Sequence, residues 1–464
     1  MPDERDILIA KLIEGMEAAR ADNEALRWAN ETLRAEVAKL RSQVQQNSSN
    51  SSKPPSSDGP GTARPGKAPT GRKRGGQPGH KHHRRTLLPP EKVTSSTDVF
   101  PTHCRRCATR LSGRDLSPLR VQSLELPAVQ PEVYEARLHR LCCKHCGTTT
   151  SGQLPAGFTA YGPRLRATLA LLTGRFRLSK REARQLLGSM LGVDLSLGSV
   201  CNIEQRVSGS LAAVVDQARA FVRKQPVAHP DETGWREGRK RAWLWTAVTE
   251  AVTVFQIARS RGSDVARELL GENFPGFVVS DRWAGYNWLE LRQLCWSHLK
   301  RDVKGFIERG GAGGRIGALL QSQIEKMFRW YSQVRDGTLA RQAFKRRMRP
   351  VESRIERLLD AARSRAEGKT RGMAREIYDL RRFLFTFVDN DEVAPTNNAA
   401  ERAIRPAVLW RKGSFGTDSP RGSRFVERLL TVVATLKQQQ RDLLAYLVAA
   451  CRGHANSLIP LLGR

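Results

Sequence analysis

The sequence predicts a multidomain α/β protein, and three observations lead there. An apolar seam with heptad spacing runs through the first 46 positions. Two Cys-x-x-Cys pairs, Cys104/Cys107 and Cys143/Cys146, stand 35 residues apart. Beyond Lys224 the apolar period changes from helical to alternating, with acids at the ends of the strand-like runs.

Composition narrows the function before any motif does. Of 464 residues, 78 are Lys or Arg against 46 acids, a formal charge of +32. So large an excess points to a polyanionic partner, because neutralising phosphates releases counterions and dominates affinity for nucleic acid. No apolar run approaches the roughly 20 residues that span a bilayer, and the charged N-terminus lacks a signal-peptide core. The eight cysteines cluster rather than scatter, which favours metal ligation in a reducing cytoplasm over a disulfide framework.

Residues 1–46 read as a coiled-coil dimerisation helix. One register puts Ile9, Met16, Asn23, Asn30, Val37 and Val44 at a, with Leu12, Ala19, Leu26, Leu33 and Leu40 at d. A stripe of that length lets two helices bury a continuous seam, and Asn at a favours a parallel, in-register homodimer. Residues 47–95 read as a flexible basic linker, rich in Ser, Asn, Pro and Gly and without apolar periodicity. Its Arg72, Lys73 and Arg74 could lie along phosphates or in a minor groove, as short basic arms do, or form a solvated charge run.

Residues 96–160 read as a zinc-binding module. Each Cys-x-x-Cys turn sets two thiolates at adjacent corners of a tetrahedron, so Cys104, Cys107, Cys143 and Cys146 make a closed, structural Zn²⁺ site. Cys142 could replace Cys143, and His103, His139 and His145 are weaker candidates. Val121 to Leu141 alternates as short strands would. Residues 161–222 are helical in pattern and helix-turn-helix-like. Ser179 and Ser196 are N-caps, Ser179 and Glu182 form a capping box, and a Gly-containing turn joins the two helices. The second helix would enter a major groove, with Ser196, Ser199 and Asn202 facing DNA; a generic helical hairpin shows much the same pattern. Cys201 reads as a small core residue.

Residues 223–309 form the first part of a mixed-sheet core. Gln225 to Asp231 reads as a strand, Arg241–Thr249 and Ala251–Ile257 as a hairpin, and Ser263–Leu270 as a helix. Phe277–Ser280 follows as a strand, then a helix after Trp283, a strand over Gln293–Trp296 and a helix over Ser297–Glu308. Residues 310–392 read as a helical insertion, and 393–464 as the last part of the core with C-terminal helices. Asp231 and Asp281 fall at strand ends, where ligands of open α/β sheets gather. Glu401 falls early in a helix capped by Thr396 or Asn397, and Glu392 is a competing acid in a loop. Isolated buried acids are costly unless paired or metal-bound, so an assembled carboxylate cluster suits a hard divalent cation.

Several stretches resemble the DDE transposases of the insertion sequence 66 family. They are Asn47-Ser48-Ser49-Asn50-Ser51-Ser52-Lys53-Pro54-Pro55, Gly75-Gly76-Gln77-Pro78-Gly79-His80, Asp231-Glu232-Thr233, Asp281-Arg282-Trp283-Ala284-Gly285-Tyr286, Cys295-Trp296-Ser297-His298-x-x-Arg301 and Thr396-Asn397-Asn398-Ala399-Ala400-Glu401-Arg402-Ala403-Ile404-Arg405-Pro406. The resemblance implies a ribonuclease-H-like catalytic core in which Asp231, Asp281 and Glu401 bind Mg²⁺, with two ions expected. It implies strand cleavage and strand transfer on double-stranded DNA, at element-end inverted repeats and at a target, in the bacterial cytoplasm at the nucleoid. Small accessory proteins of the same element belong to that expectation. Arg402, Arg405, Arg411 and Lys412 would contact phosphates around the site. Arg282-Trp283 departs from the smaller pair expected after the second aspartate. Glu232 is expected to point away from the ions or into solvent, Tyr286 to pack or touch substrate, and His298 is open between a packing and a substrate-facing role. The competing reading is a non-catalytic, zinc-containing DNA-binding regulator or decayed transposase.

Overall fold

The structure, a computed structural model, describes residues 4–45, 79–80 and 85–459. Arg72, Lys73, Arg74 and most of the expected linker lie outside the described residues. Two compact units divide the chain, one holding Met1–Arg64, Ala136–Arg184 and Leu195–Arg464, the other Pro65–Glu135 and Gln185–Asp194.

In the larger unit, α1 (Glu4–Gln45) is one uninterrupted helix. Its heptad seam faces outward: Leu12, Met16, Leu26, Leu33, Val37, Leu40 and Val44 are all exposed. The side chain of Ile9, the first a position, lies outside the described residues. Among its described residues the smaller unit has little regular structure outside the helical stretch over 185–191. Gln122 stands in for a strand partner there, accepting from the Leu88 N–H at 2.8 Å and donating to its carbonyl at 2.9 Å. The alternation from Val121 to Leu141 does not produce the expected strands. Only β1 (Arg140–Cys142) forms at its end, pairing antiparallel with β2 (Thr149–Ser151). Most apolar residues of that stretch are exposed, so the alternation has no face to bury.

The helical region comprises α2 (Pro163–Ala170), a π turn over Leu171–Arg175, α3 (Lys180–Leu191), α4 (Leu197–Ser210) and α5 (Ala212–Val222). Both expected caps are present. The Ser179 N–H donates to Glu182 Oε2 at 2.9 Å while the Glu182 N–H donates to Ser179 Oγ at 3.2 Å. Ser196 Oγ accepts from the Ser199 N–H at 3.0 Å. Cys201 is exposed rather than in the core, with Lys180 Nζ donating to its sulfur at 3.2 Å; it falls on the outer face of α4, whose buried stripe is Val200, Ile203 and Val207.

A five-stranded mixed sheet positions the acids. It contains β3 (Val227–Glu237), β4 (Lys240–Val248), β5 (Thr253–Ala258), β6 (Phe277–Ser280) and β7 (Arg292–Leu294), in the order β5-β4-β3-β6-β7. The first three are antiparallel neighbours; β3, β6 and β7 run parallel. β3 is longer than its apolar pattern suggests. Pairing with β4 carries it through Asp231, which opposes Thr246, to a tight turn at Gly238 with φ 60°. Asp231 therefore lies within a strand rather than at its end. The short α6 (Ser263–Leu270) lies between β5 and β6. After Trp283 the chain makes only a 3₁₀ turn, Ala284–Tyr286, not the expected helix. There Trp283 and Tyr286 pack edge to face, 5.2 Å between ring centroids.

From β7 the chain enters α7 (Trp296–Arg309), then α8 (Gly311–Arg335), α9 (Arg341–Arg365), α10 (Gly368–Asp379) and α11 (Thr386–Asp389). Phe344, Met348, Ile355, Leu359, Ile377 and Phe387 form with Val279 and Leu294 of the sheet one continuous apolar core, so the helical insertion is packed into the sheet domain. The chain closes with α12 (Asn398–Ser414), α13 (Pro420–Gln438) and α14 (Leu443–Cys451).

α13 covers the sheet edge. Thr435, Thr431 and Glu427, spaced one helical turn apart, accept the N–H groups of Thr253, Phe255 and Ile257 on the open side of β5. An unpaired strand edge invites pairing with another chain; here a helix face supplies the missing acceptors. Among the described residues no helix is long and apolar enough to cross a membrane.

Candidate active site

Strand register brings the aspartates together. Ala228 of β3 opposes Val278 of β6, and three residues further on each strand stand Asp231 and Asp281. Parallel neighbours lie about 4.8 Å apart, so equal steps keep both carboxylates at one level of the sheet. Ser280 opposes Leu294 of β7, which places Cys295 at the same level on the third strand. Glu401 arrives from the first turn of α12.

The electrostatics record the convergence. Burial pushes the Asp231 carboxyl up to about 8, and Glu232, Asp281 and Glu401 add to the shift through their negative charge. Only the Glu232 N–H, donating to Asp231 Oδ1 at 3.0 Å, acts the other way. Asp231 thus lies within electrostatic reach of three other acids. Asp281 is held by a short turn, its Oδ1 accepting from the Trp283 N–H at 3.0 Å. Behind it Arg292, 1% exposed, donates to the Asp281 carbonyl at 3.1 Å, to Ser280 Oγ at 3.3 Å and to Asn287 Oδ1 at 2.9 Å. Burial pulls the Arg292 guanidinium down to about 10. Glu392 is exposed in the turn before α12 and contributes nothing to the shift at Asp231.

Glu232 is not solvated. Its side chain is 4% exposed and receives Arg261 Nε at 2.9 Å, Arg261 Nη2 at 2.7 Å and the Tyr286 hydroxyl at 3.2 Å. Arg261 is itself sandwiched between Trp243 and Trp283, 5.0 and 5.1 Å from the ring centroids. Trp283 therefore has a defined task, as a wall of the slot that presents Arg261 to Glu232. Its neighbour Arg282 donates to Asp302 of α7 at 2.9 Å and to Glu376 of α10, fastening the loop after Asp281 to the helical insertion. Tyr286 is buried and its hydroxyl pKa is raised, by burial first and then by the surrounding acids.

Asn397 is the residue whose role the sequence did not reveal. It occupies the N-cap position of α12 but makes no capping bond. Instead the buried side chain donates from Nδ2 to the Pro230 carbonyl at 2.7 Å and meets His229 Nδ1 at 3.2 Å. Its backbone N–H donates to Cys295 Sγ at 3.1 Å. One residue thereby joins β3 next to Asp231, the start of α7, and the helix carrying Glu401. Asn398 accepts from Ser297 Oγ at 3.1 Å and doubles the link. Burial pulls the His229 imidazole down to about 4, so it sits neutral against Asn397.

The expected phosphate contacts divide. Arg402, Arg405 and Lys412 are exposed on α12. Arg411 turns inward, its Nη1 donating to Thr233 Oγ1 at 3.0 Å and the Gly234 carbonyl at 2.9 Å, and so braces β3. On α4 Asn202 is exposed, whereas Ser196 and Ser199 spend their hydroxyls on each other at 3.0 Å and on Tyr161.

The two Cys-x-x-Cys segments, each taken by itself, have the same backbone. The Cys104 N–H donates to the Thr109 carbonyl and Ala108 N–H to the Cys104 carbonyl; Cys143 pairs with Thr148 and Gly147 in the same way. Ala108 and Gly147 both adopt positive φ, 58° and 70°, which closes the turn. The hydroxyls of Thr109 and Thr148 are the first cause holding the Cys107 and Cys146 thiols below their ordinary value, followed by backbone groups and the paired cysteine. Both turns thus favour thiolates. Cys142 points its sulfur at the Gly147 carbonyl, 3.3 Å away.

Comparison with known proteins adds two family matches and two relatives. Residues 159–424 match the family described as Transposase IS66 family, and residues 2–86 match a family of unknown function, DUF6444. Uncharacterized protein y4hP of Sinorhizobium fredii (strain NBRC 101917 / NGR234) is 24% identical over 394 residues, 75% of this chain and 69% of that protein. Uncharacterized protein y4qI of the same strain is 25% identical over 233 residues, 45% of this chain and 42% of its own length.

Proposed function

This chain belongs to the IS66 family of transposases, and we propose that it cleaves and joins DNA strands at element-end inverted repeats, using Asp231, Asp281 and Glu401 as ligands for Mg²⁺. The observation that carries the reading is the acid cluster, in which Asp231 is pushed to about 8 by burial and by three neighbouring carboxylates. Hard and oxygen-rich, that donor set fits Mg²⁺. Bound Mg²⁺ would supply an activated water or 3′-hydroxyl and steady the leaving oxygen at phosphorus. The sheet order and the placement of the acids support a ribonuclease-H-like core.

The protein's own groups divide the remaining work. Asp231, Asp281 and Glu401 would together hold the Mg²⁺, of which two ions are expected. Arg292 and the Trp283 N–H fix Asp281, while Arg261 and Tyr286 neutralise Glu232 and withhold it from the ions. Arg402, Arg405 and Lys412 lie on the exposed face of the helix that carries Glu401, placed to hold phosphates without reading sequence. Asn202 on α4 is offered to a groove, with Ser196 and Ser199 shaping the helix start. The two cysteine turns favour thiolate ligands, and structural Zn²⁺ at Cys104, Cys107, Cys143 and Cys146 is part of the proposal. The exposed seam of α1 is read as the homodimer interface.

The test is a nicking and strand-transfer assay with element-end DNA and Mg²⁺, comparing wild type with Asp281→Asn. Loss of both reactions in the variant, with DNA binding intact, is expected. Equal behaviour of the two proteins refutes catalysis by this cluster and leaves the non-catalytic regulator.

A further inference from the structure

Beside the acid cluster lies a second set of donors with different chemistry. Among the described residues, Cys295, His298 and Glu401 place a sulfur, a ring nitrogen and a carboxylate oxygen within 4.8 Å of one another. Cys295 caps α7 at the level of the two aspartates, and His298 follows three residues later in the first turn of the helix. The His298 Nδ1 atom is buried without a hydrogen-bond partner and stands 3.7 Å from Glu401 Oε1. An orphaned buried nitrogen calls for an explanation, since such atoms are nearly always satisfied. The Cys295 sulfur, 1% exposed, receives the Asn397 N–H at 3.1 Å, the kind of donor that stabilises sulfur once it carries negative charge.

Thiolate and imidazole are poor ligands for Mg²⁺ and good ones for Zn²⁺, which takes sulfur, nitrogen and carboxylate together in a tetrahedron. Zn–S of about 2.3 Å and Zn–N of about 2.0 Å put such donors roughly 3.5 Å apart, so closing this trio takes shifts of about one ångström. His298 and Glu401 are 29% and 40% exposed, which leaves the site open to entry from solvent. We propose that Cys295, His298 and Glu401 bind a soft divalent cation of the zinc type, and that this site and the Mg²⁺ site exclude one another because Glu401 belongs to both. Binding converts the Cys295 thiol to a metal thiolate and releases one proton to solvent. A fourth position stays with water. The exclusion rests on the Mg²⁺ reading of the acids; the binding does not.

Cobalt(II) is the probe, because a cobalt–thiolate bond has a near-ultraviolet charge-transfer band. Full-length protein carrying its zinc is titrated with Co²⁺ without Mg²⁺, as wild type, Cys295→Ser and His298→Ala, each checked for folding by circular dichroism. A band reaching one equivalent in wild type and absent in Cys295→Ser is expected, with the His298→Ala midpoint raised at least about tenfold. No band in wild type, or an equal band in Cys295→Ser, overturns the site. Adding Mg²⁺ must raise the wild-type midpoint; an unchanged midpoint overturns the exclusion. In the cleavage assay micromolar Zn²⁺ is expected to inhibit wild type about tenfold relative to its own rate without added Zn²⁺, and Cys295→Ser much less. If no protein cleaves DNA, the transposase reading fails while the cobalt band still decides the site.

Discussion

Replacing Asp231 by Asn should stabilise the protein in magnesium-free buffer. An unfolded aspartate titrates near 3.8, whereas in the folded chain burial and three acids push Asp231 to about 8. A folded value above the unfolded one means that the native state binds the proton more tightly. The contribution of Asp231 to stability is therefore greatest below pH 3.8, falls as pH rises toward 8, and levels off beyond. At pH 7 the interval crossed is about three pKa units at ~1.4 kcal/mol each, a ceiling of roughly 4 kcal/mol. Neighbouring acids share the proton, which brings the gain to about 2–4 kcal/mol. Asn keeps the acceptor for the Glu232 N–H and removes the charge. Calorimetry at pH 5 and pH 7.5 should show the transition of the sheet domain several degrees higher in Asp231→Asn at the upper pH, and less so at the lower. Added Mg²⁺ should raise the wild type and leave the variant where it was. A variant no more stable than wild type at pH 7.5, or a gain independent of pH, refutes the picture of a carboxyl buried among like charges.

Three further outcomes follow from named contacts. Asn397→Ala strips a partner from the buried Pro230 carbonyl and from His229, and should cost about 2–4 kcal/mol in chemical denaturation; it should also lower cleavage while filter binding of DNA persists. Thr431→Val on α13 keeps the shape but removes the acceptor of the buried Phe255 N–H, so about 1–3 kcal/mol should be lost, with earlier hydrogen exchange along β5. Paired Leu26→Glu and Leu33→Glu substitutions on the exposed seam of α1 should halve the mass seen by light scattering if that seam is the dimer interface.

What could be read locally was read well, and what depended on distant partners was not. The Ser179–Glu182 box and the Ser196 cap were legible because three residues of chain hold each complete. Strand β6 and helix α6 carry their own periodicity and end where expected. The length of β3 was hidden because its second half, Glu232 to Glu237, is polar and becomes strand only by pairing with β4. The false strands over Val121–Leu141 show the converse, alternation with no partner to use it. Asn397, Arg411 and Thr431 act across more than 160 residues of chain, and nothing in their neighbourhoods distinguishes a brace from a cap or a surface cation. Glu401 is singled out mainly by its Asn-Asn-x-x-Glu-Arg motif, with its place early in a helix in support, since its neighbours in space, His298 and Asp231, are remote in sequence.

These long-range braces explain how the chain holds four acids together against their repulsion. Left to itself each carboxylate would swing toward water, and loops of short polar residues would let it. Contacts within and between elements instead fix the backbone that carries them. Arg292 and the Trp283 N–H hold Asp281, Arg261 and Tyr286 hold Glu232, Asn397 ties the strand of Asp231 to the helix of Glu401, and Arg411 returns from that helix to β3. Arg282 extends the frame into the helical insertion through Asp302 and Glu376. The insertion is thus mechanically connected to the loop that carries Asp281, through the residue between Asp281 and the Trp283 N–H that it accepts. Substituting Arg282 by Ala should loosen that loop, and the effect should appear as a higher Mg²⁺ midpoint for cleavage rather than as lost folding. An unchanged Mg²⁺ midpoint in Arg282→Ala would show that the insertion and the acid cluster are independent.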